Sequence, residues 1–255
     1  MPAPKILYYD IETAPNLGYI WAKWDQNVLA YEREWYMLCI SYRWEDEKKT
    51  HVVSLLDFPT LYDSDPEDDS ALVTVLWDLL NRADITIAHN GDAFDNKKSN
   101  ARFIVNGLGP PSPYRSIDTL KVARNKFKFN SNTLGDLGQT LGIGEKVATG
   151  GFSLWAGVMR GEEKAWRKMI KYAKQDTVLL AKVYKALKPW MTNHPNHGVY
   201  TGEAHTCPGC GSEDLIRRGF KYTQAMTYQQ WHCPDCGTYS RSRKAETTDR
   251  PTLVP

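Results

Sequence analysis

No run of about eighteen consecutive apolar residues occurs in the chain, which leaves no candidate for a membrane-spanning helix. The opening Met1-Pro-Ala-Pro-Lys5 lacks the basic and apolar regions of a secretory signal. We therefore expect an intracellular, cytoplasmic protein that makes no membrane contact. Cysteine is scarce, with five in 255 residues. Cys39 stands alone in an apolar run, and the other four form two close pairs near the C-terminus. That pattern suits a metal site in a reducing compartment better than disulfides. No internal repeat is present. Net charge is also small, a formal +2, but it hides a change of sign along the chain. Residues 1–96 carry 7 basic and 18 acidic side chains, whereas residues 97–188 carry 18 and 6. Folding can bring metal-binding acids beside cations that hold polyphosphate, although ordinary surface charge accounts for the same numbers.

What is present is enough for one sizeable domain and a small appendage, with 42% hydrophobic residues to fill a core. Apolar runs predict strands at Lys5–Ile11, Trp35–Trp44, His51–Leu56 and Ile85–Ala88. An acidic loop, Asp63–Asp69, leads into a helix over Ser70–Arg82, where Leu72, Val75, Leu76 and Leu79 repeat at helical spacing. Further helices are predicted at about 95–106, 118–126, 133–141 and 152–160, with a long one over 163–187 that stops before Pro189. Strands first and then alternation with helices predict an α/β fold, a mixed sheet covered by helices. Residues 1–190 form the expected main domain and 191–205 a turn-rich linker. A small module follows at 206–242, then a polar, mobile tail at 243–255.

Three segments carry chemistry. In Asp10-Ile-Glu12 the two acids stand at i and i+2 of a strand, so both face one way. Two anions at the end of an apolar strand repel each other, and a divalent cation is the simplest remedy, although a lone tripeptide of this kind is more often a solvated strand end. His89-Asn-Gly-Asp-Ala-Phe-Asp95 follows a strand and turns into a helix, so Asp95 sits at a helix start, where complementing the helix dipole is the plainer role. His89 and Asn90 are read as fixing that turn and Asp92 as solvated. Tyr172 and Asp176 stand four apart on the long helix and share a face. Together, in this order, the three segments are far more specific than any one of them.

On these residues the stretch 1–188 resembles the DEDDy subgroup of the DEDD 3′–5′ exonucleases, which has a ribonuclease H-like fold. Asp10 and Glu12 match the first family motif, the His-Asn-x-x-x-Phe-Asp pattern ending at Asp95 the second, and Tyr172 with Asp176 the third. Asp10-Ile-Glu-Thr-Ala-Pro15 is similar to the exonuclease domains of the DNA polymerase B type. Ser116-Ile-Asp-Thr-Leu120 is similar to a segment between motifs two and three, with Asp118 read as a helix cap and not a ligand. The resemblance implies two Mg2+ or Mn2+ ions about 4 Å apart and phosphodiester hydrolysis that releases nucleoside monophosphates. Asp10 would bridge both ions, Glu12 and Asp176 would help hold the one that activates water, and Asp95 would support the other through water. Tyr172 would orient the nucleophilic water. The implied substrate is the 3′ end of single-stranded DNA. A 3′–5′ exoribonuclease, or a non-catalytic nucleic-acid adaptor on the same fold, is the alternative.

Basic residues flank these motifs: Lys97, Lys98 and Arg102 after Asp95, and Lys164, Arg167, Lys168, Lys171 and Lys174 around Tyr172. About one in three is expected to meet phosphate. In Arg124-Asn-Lys-Phe-Lys-Phe129 the rings of Phe127 and Phe129 fit a single-strand surface and the core equally well.

Cys207-Pro-Gly-Cys210-Gly and Cys233-Pro-Asp-Cys236-Gly point to one structural Zn2+ held by four thiolates in a zinc ribbon. Glycine after each second cysteine allows the tight knuckle. So small a module needs the metal to fold, and four ligands leave no open catalytic position. Arg217, Arg218, Lys221, Tyr222, Tyr228 and Trp231 offer a nucleic-acid surface or a docking surface for a replication or repair partner.

Overall fold

The computed structural model describes residues 2–22, 24 and 27–246. The expected mobile tail lies outside the described residues from 247 onward. By internal contacts the chain forms two compact units. The larger comprises Lys5–Arg124 and Lys128–Val183, and the smaller is built chiefly from the chain after Val183.

In the larger unit β1 (Ile6–Thr13) is followed by a hairpin of β2 (Leu17–Tyr19) and β3 (Ala30–Arg33), then by β4 (Met37–Trp44) and β5 (His51–Ser54). Next come α1 (Pro59–Ser64), α2 (Ser70–Arg82), β6 (Ile85–Ala88), α3 (Asp95–Val105) and β7 (Arg115–Asp118). Four helices complete the run: α4 (Thr119–Lys126), α5 (Leu134–Thr140), α6 (Phe152–Met159) and α7 (Glu163–Leu187). The five-stranded sheet has the order β5-β4-β1-β6-β7. Strands β5, β4 and β1 pair antiparallel, while β1, β6 and β7 pair parallel, so the sheet is mixed as expected.

The central strands β1 and β6 are buried nearly throughout, which explains their unbroken apolar runs. Helix α2 buries Leu72, Val73, Leu76, Leu79 and Leu80. Helix α7 buries Trp166, Met169, Ala173, Asp176, Thr177 and Leu180, a stripe at three- and four-residue spacing. An acid therefore occupies a position where an apolar side chain would ordinarily sit. Ser41 of β4 and Thr177 of α7 share a buried hydrogen bond, and Ser41 is the register partner of Asp10. That contact fixes Asp176 over the middle of the sheet.

Two boundaries differ from the sequence expectation in ways that matter for chemistry. Strand β1 continues to Thr13, so Asp10 and Glu12 lie within a paired strand rather than at its solvated end. Residues 115–118 form a strand, and the helix begins only at Thr119. The β2–β3 hairpin and α1 were not foreseen, because neither carries a sustained apolar period.

In the smaller unit α8 (His197–Thr201) is capped by the Asn196 side chain, which accepts from the Gly198 backbone N–H at 3.0 Å. This turn of helix falls within the stretch expected as a linker. Strands β8 (Ile216–Tyr222), β9 (Thr227–His232) and β10 (Tyr239–Arg241) form an antiparallel sheet of order β10-β9-β8. Among the described residues no helix is long and apolar enough to cross a membrane.

Candidate active site

Carboxylate oxygens of Asp10, Glu12 and Asp176 all lie within 4.8 Å of one another. The β-strand alternation points the first two to one side of β1, and the Ser41–Thr177 contact brings the third from α7. Asp95 is buried at the start of α3, outside this closest group. Its Oδ1 accepts a hydrogen bond from the Ile11 backbone N–H at 3.1 Å, which ties the helix start to the strand between the two acids. Tyr9 donates its phenol to Asn96 at 2.6 Å and secures the same junction from the other side.

The turn before α3 is rigidly made. Asn90 has φ of 68°, in the left-handed region that asparagine tolerates better than most residues. Its backbone N–H donates to Asp118 Oδ1 at 2.9 Å, and the same oxygen accepts from Leu120 N at 3.0 Å. Asp118 is thus a cap that also clamps the turn. His89 bridges Thr119, through Nδ1 at 2.9 Å, and the Asn132 carbonyl, through Nε2 at 2.9 Å. Asp92 pairs with Lys121 at 2.7 Å.

Burial dominates the electrostatics. It pushes the Asp10 carboxyl well above the usual carboxylate range, with repulsion from Glu12, Asp95 and Asp176 adding to the effect. Glu12 is pushed up to about 8 by burial and then by Asp176. Asp95 rises to about 7, also by burial, against the opposing hydrogen bond from Ile11. Asp176 is raised by burial despite the Lys146 ammonium beside it. Burial first and Glu12 second raise the Tyr172 phenol. Four acids packed this way resist ionising together unless a cation joins them.

Two oxygens show where cations would fit: Asp10 Oδ2 and Asp176 Oδ1 are buried and have no hydrogen-bond partner among the described residues. Hard oxygen donors, converging and unsatisfied, suit Mg2+ or Mn2+.

Sequence reasoning missed Lys146. Its Nζ lies 2.5 Å from Asp176 Oδ2 and 3.4 Å from Tyr172 Oη, and supplies the positive charge nearest the acids. The residue sits in an irregular, glycine-rich loop between α5 and α6 whose sequence carries no pattern to mark it. Of the flanking cations expected near phosphate, Arg102 instead pairs with the fully buried Asp69, and Arg167 pairs with Glu163 at 2.8 Å. Lys98 lies 3.5 Å over the Trp35 ring.

Asp10 opens onto a cleft of about 500 Å³ lined also by Asn90, Arg124, Asn132 and Lys146 among others. A second cleft of about 460 Å³ includes Thr13, Trp35, Lys98, Phe152 and Trp155.

Residues 29–188, more than half of the chain, match the RNase_H superfamily. The chain belongs to the RNase_H superfamily. The matched span includes Asp95, Tyr172 and Asp176 and begins after Asp10 and Glu12. In keeping with an RNase_H superfamily fold, the chain is similar to a family B DNA polymerase from the hyperthermophilic archaeon Pyrobaculum calidifontis. The TM-score is 0.55 at 14% identity, over 74% of this chain and 25% of the polymerase. This RNase_H superfamily chain therefore spans about a quarter of that polymerase. No curated protein matches it.

In the smaller unit the four cysteines converge. Cys207 Sγ lies 3.5 Å from Cys236 Sγ and Cys210 Sγ 3.7 Å from Cys233 Sγ, and all four fall within 4.8 Å of one another. Tetrahedral thiolates at a Zn–S distance of about 2.3 Å would stand about 3.8 Å apart, whereas a disulfide needs about 2.05 Å. The set therefore fits a metal ion and not two disulfides. Each knuckle closes alike: Gly211 N donates to Cys207 O at 2.8 Å and Gly237 N to Cys233 O at 2.9 Å, with φ of 79° and 73° at these glycines. The hydrogen bond between Cys207 and Cys236 pushes the Cys236 thiol down and the Cys207 thiol up. His205 packs on Trp231 and His232 on Tyr239, and neither belongs to the cluster.

Proposed function

We propose that this protein is a DEDDy-type 3′–5′ exonuclease that hydrolyses single-stranded DNA from its 3′ ends and releases nucleoside monophosphates. Three carboxylates whose oxygens lie within 4.8 Å of one another, two of them presenting buried unpartnered atoms, carry this reading. The order of the motifs and the likeness to a family B DNA polymerase support it and favour DNA as substrate.

Asp10, Glu12 and Asp176, with Asp95 beside them, would hold the Mg2+ or Mn2+ ions. When bound, such ions supply Lewis-acid stabilisation of the charge that develops on the phosphate and on the attacking and leaving oxygens. Tyr172 has a phenol whose proton is held more tightly than usual, so it is unsuited to act as a general base. Its hydroxyl instead aims the attacking water by hydrogen bonding. Lys146, 2.5 Å from Asp176, keeps the acids partly neutralised and can turn its ammonium to phosphate when substrate arrives. Arg124 and Asn132 line the same cleft and are placed to contact the sugar–phosphate chain. The smaller unit is read as a zinc ribbon in which Cys207, Cys210, Cys233 and Cys236 hold one structural Zn2+.

Digestion of DNA and RNA labelled at the 5′ end, with and without Mg2+, tests the reading alongside Asp10→Ala. Shortening of single-stranded DNA from its 3′ end, dependent on Mg2+ and lost in Asp10→Ala, is expected. Activity that survives the substitution would reject the site, and a strong preference for RNA would reject the substrate.

A further inference from the structure

The smaller unit contains a groove of about 710 Å³ that plays no part in the chemistry above. Its lining includes Trp190, Lys221, Gln230, Tyr239, Arg241 and Arg243, and no acidic side chain. Strand pairing explains why several of these meet. Lys221 stands opposite Tyr228, Arg241 opposite Gln230 and Tyr239 opposite His232. Residues 228, 230 and 232 alternate along β9, so all of these side chains project from one face of the small sheet.

The groove is also partly preorganised. The Arg241 guanidinium lies 4.0 Å over the Tyr228 ring and donates from Nη1 to the Ser242 carbonyl at 3.1 Å, two contacts that restrain the side chain without neutralising its charge. Trp190 packs edge-on against Phe127, with ring centroids 5.3 Å apart, yet remains 59% exposed. Tyr239 is 56% exposed. Among the described residues no carboxylate pairs with Lys221, Arg241 or Arg243. Three unpaired cations beside two exposed rings call for a ligand that is both anionic and planar. An acidic peptide would satisfy the charges and leave the rings uncovered. A polynucleotide single strand satisfies both, through phosphates on the cations and bases on the rings.

We propose that this groove is a second binding site for single-stranded nucleic acid. Phosphates lie against Lys221, Arg241 and Arg243, and bases stack on Trp190 and Tyr239. Of the ribbon residues picked out by sequence, Lys221 lines the groove and Tyr228 supports Arg241 from beneath. Trp231 is half-buried and lies beneath the Arg217 guanidinium, 5.3 Å from its ring centroid. The site lies in a unit that contains none of the clustered carboxylates, so it stands or falls independently of the proposed hydrolysis.

The test uses the full-length, zinc-loaded chain and a fluorescein-labelled oligo-dT, with binding followed by anisotropy in Mg2+-free buffer over a range of salt concentrations. Lys221→Glu/Arg241→Glu should weaken binding tenfold or more. It should also reduce the slope of log affinity against log salt by about 1.4, since each single-strand phosphate contact contributes about 0.7. Tyr239→Ala should weaken binding about fivefold or more without changing the slope. Should the charge-reversed variant lose its zinc, Lys221→Gln/Arg241→Gln is expected to give the same fall in slope. An unchanged slope in the zinc-retaining variant would overturn the proposal. So would a polyglutamate peptide that binds as tightly as the oligonucleotide and is indifferent to Tyr239→Ala.

Discussion

Replacing Glu12 by glutamine should make the metal-free protein more stable at pH 8 while destroying its response to Mg2+. In the folded chain Glu12 is pushed up to about 8 from an ordinary 4.5, first by burial and then by Asp176. Between those values the folded protein keeps a proton that the unfolded chain has released. Stability therefore falls as pH rises through this window, by up to about 1.4 kcal/mol per pH unit. Across the whole window the loss would approach about 5 kcal/mol for this group alone. The nearby Lys146 ammonium and water in the cleft screen part of it, so we expect Glu12→Gln to gain about 1–3 kcal/mol at pH 8. The gain should shrink to about 0.4 kcal/mol near pH 4.5, where the glutamate is protonated in the folded chain and half protonated in the unfolded one. Mg2+ at a hundred times its Kd should stabilise the parent by about 2.7 kcal/mol, and the variant by far less. Urea unfolding followed by circular dichroism, from pH 4.5 to 8.5 with and without Mg2+, measures each quantity. A parent whose stability is flat across that range, or a glutamine variant no more stable than the parent at pH 8, would refute the reasoning.

Three further outcomes are expected. Tyr172→Phe removes a hydroxyl that aims water but leaves the acids in place, so kcat should fall roughly 100-fold with KM nearly unchanged, as steady-state digestion of a short oligonucleotide would show. Arg102→Ala strands the fully buried Asp69, whose other oxygen accepts from Met37 N at 2.8 Å, and should cost about 3–5 kcal/mol in the same urea assay, although Arg102 lies outside the acidic cluster. Cys233→Ser should release zinc and unfold the ribbon alone, read as loss of bound metal with the helical circular dichroism of the larger unit retained; an unchanged zinc content would exclude the four-thiolate site.

The features legible in the sequence were those with a local period. The helix at about Ser70–Arg82 is legible because Leu72, Leu76 and Leu79 face one side, and the strand Ile85–Ala88 because Ile85, Ile87 and Ala88 make it almost wholly apolar. Asp10 with Glu12, and Tyr172 with Asp176, could be paired because strand and helix geometry sets their directions. The two Cys-x-x-Cys turns could be paired because so few other ligands were available. Lys146 was invisible because what places it is not its own segment but a contact with Asp176, thirty residues further along. Arg102 looked like a phosphate ligand beside Asp95, and only the three-dimensional packing revealed its partner, Asp69, at the start of α2. The β2–β3 hairpin has eight apolar side chains between Leu17 and Tyr31 that remain exposed, and so lacks the inside-outside alternation by which strands are recognised.

Everything assigned to the larger unit depends on divalent ions gathering at the buried acids. Anomalous diffraction from crystals soaked in Mn2+ tests this most directly. Two peaks are predicted within coordination distance of the carboxylates of Asp10, Glu12 and Asp176, with the second beside Asp95 through a bridging water. Crystals that bind Mn2+ elsewhere, or show no peak among these side chains at millimolar Mn2+, would contradict the account.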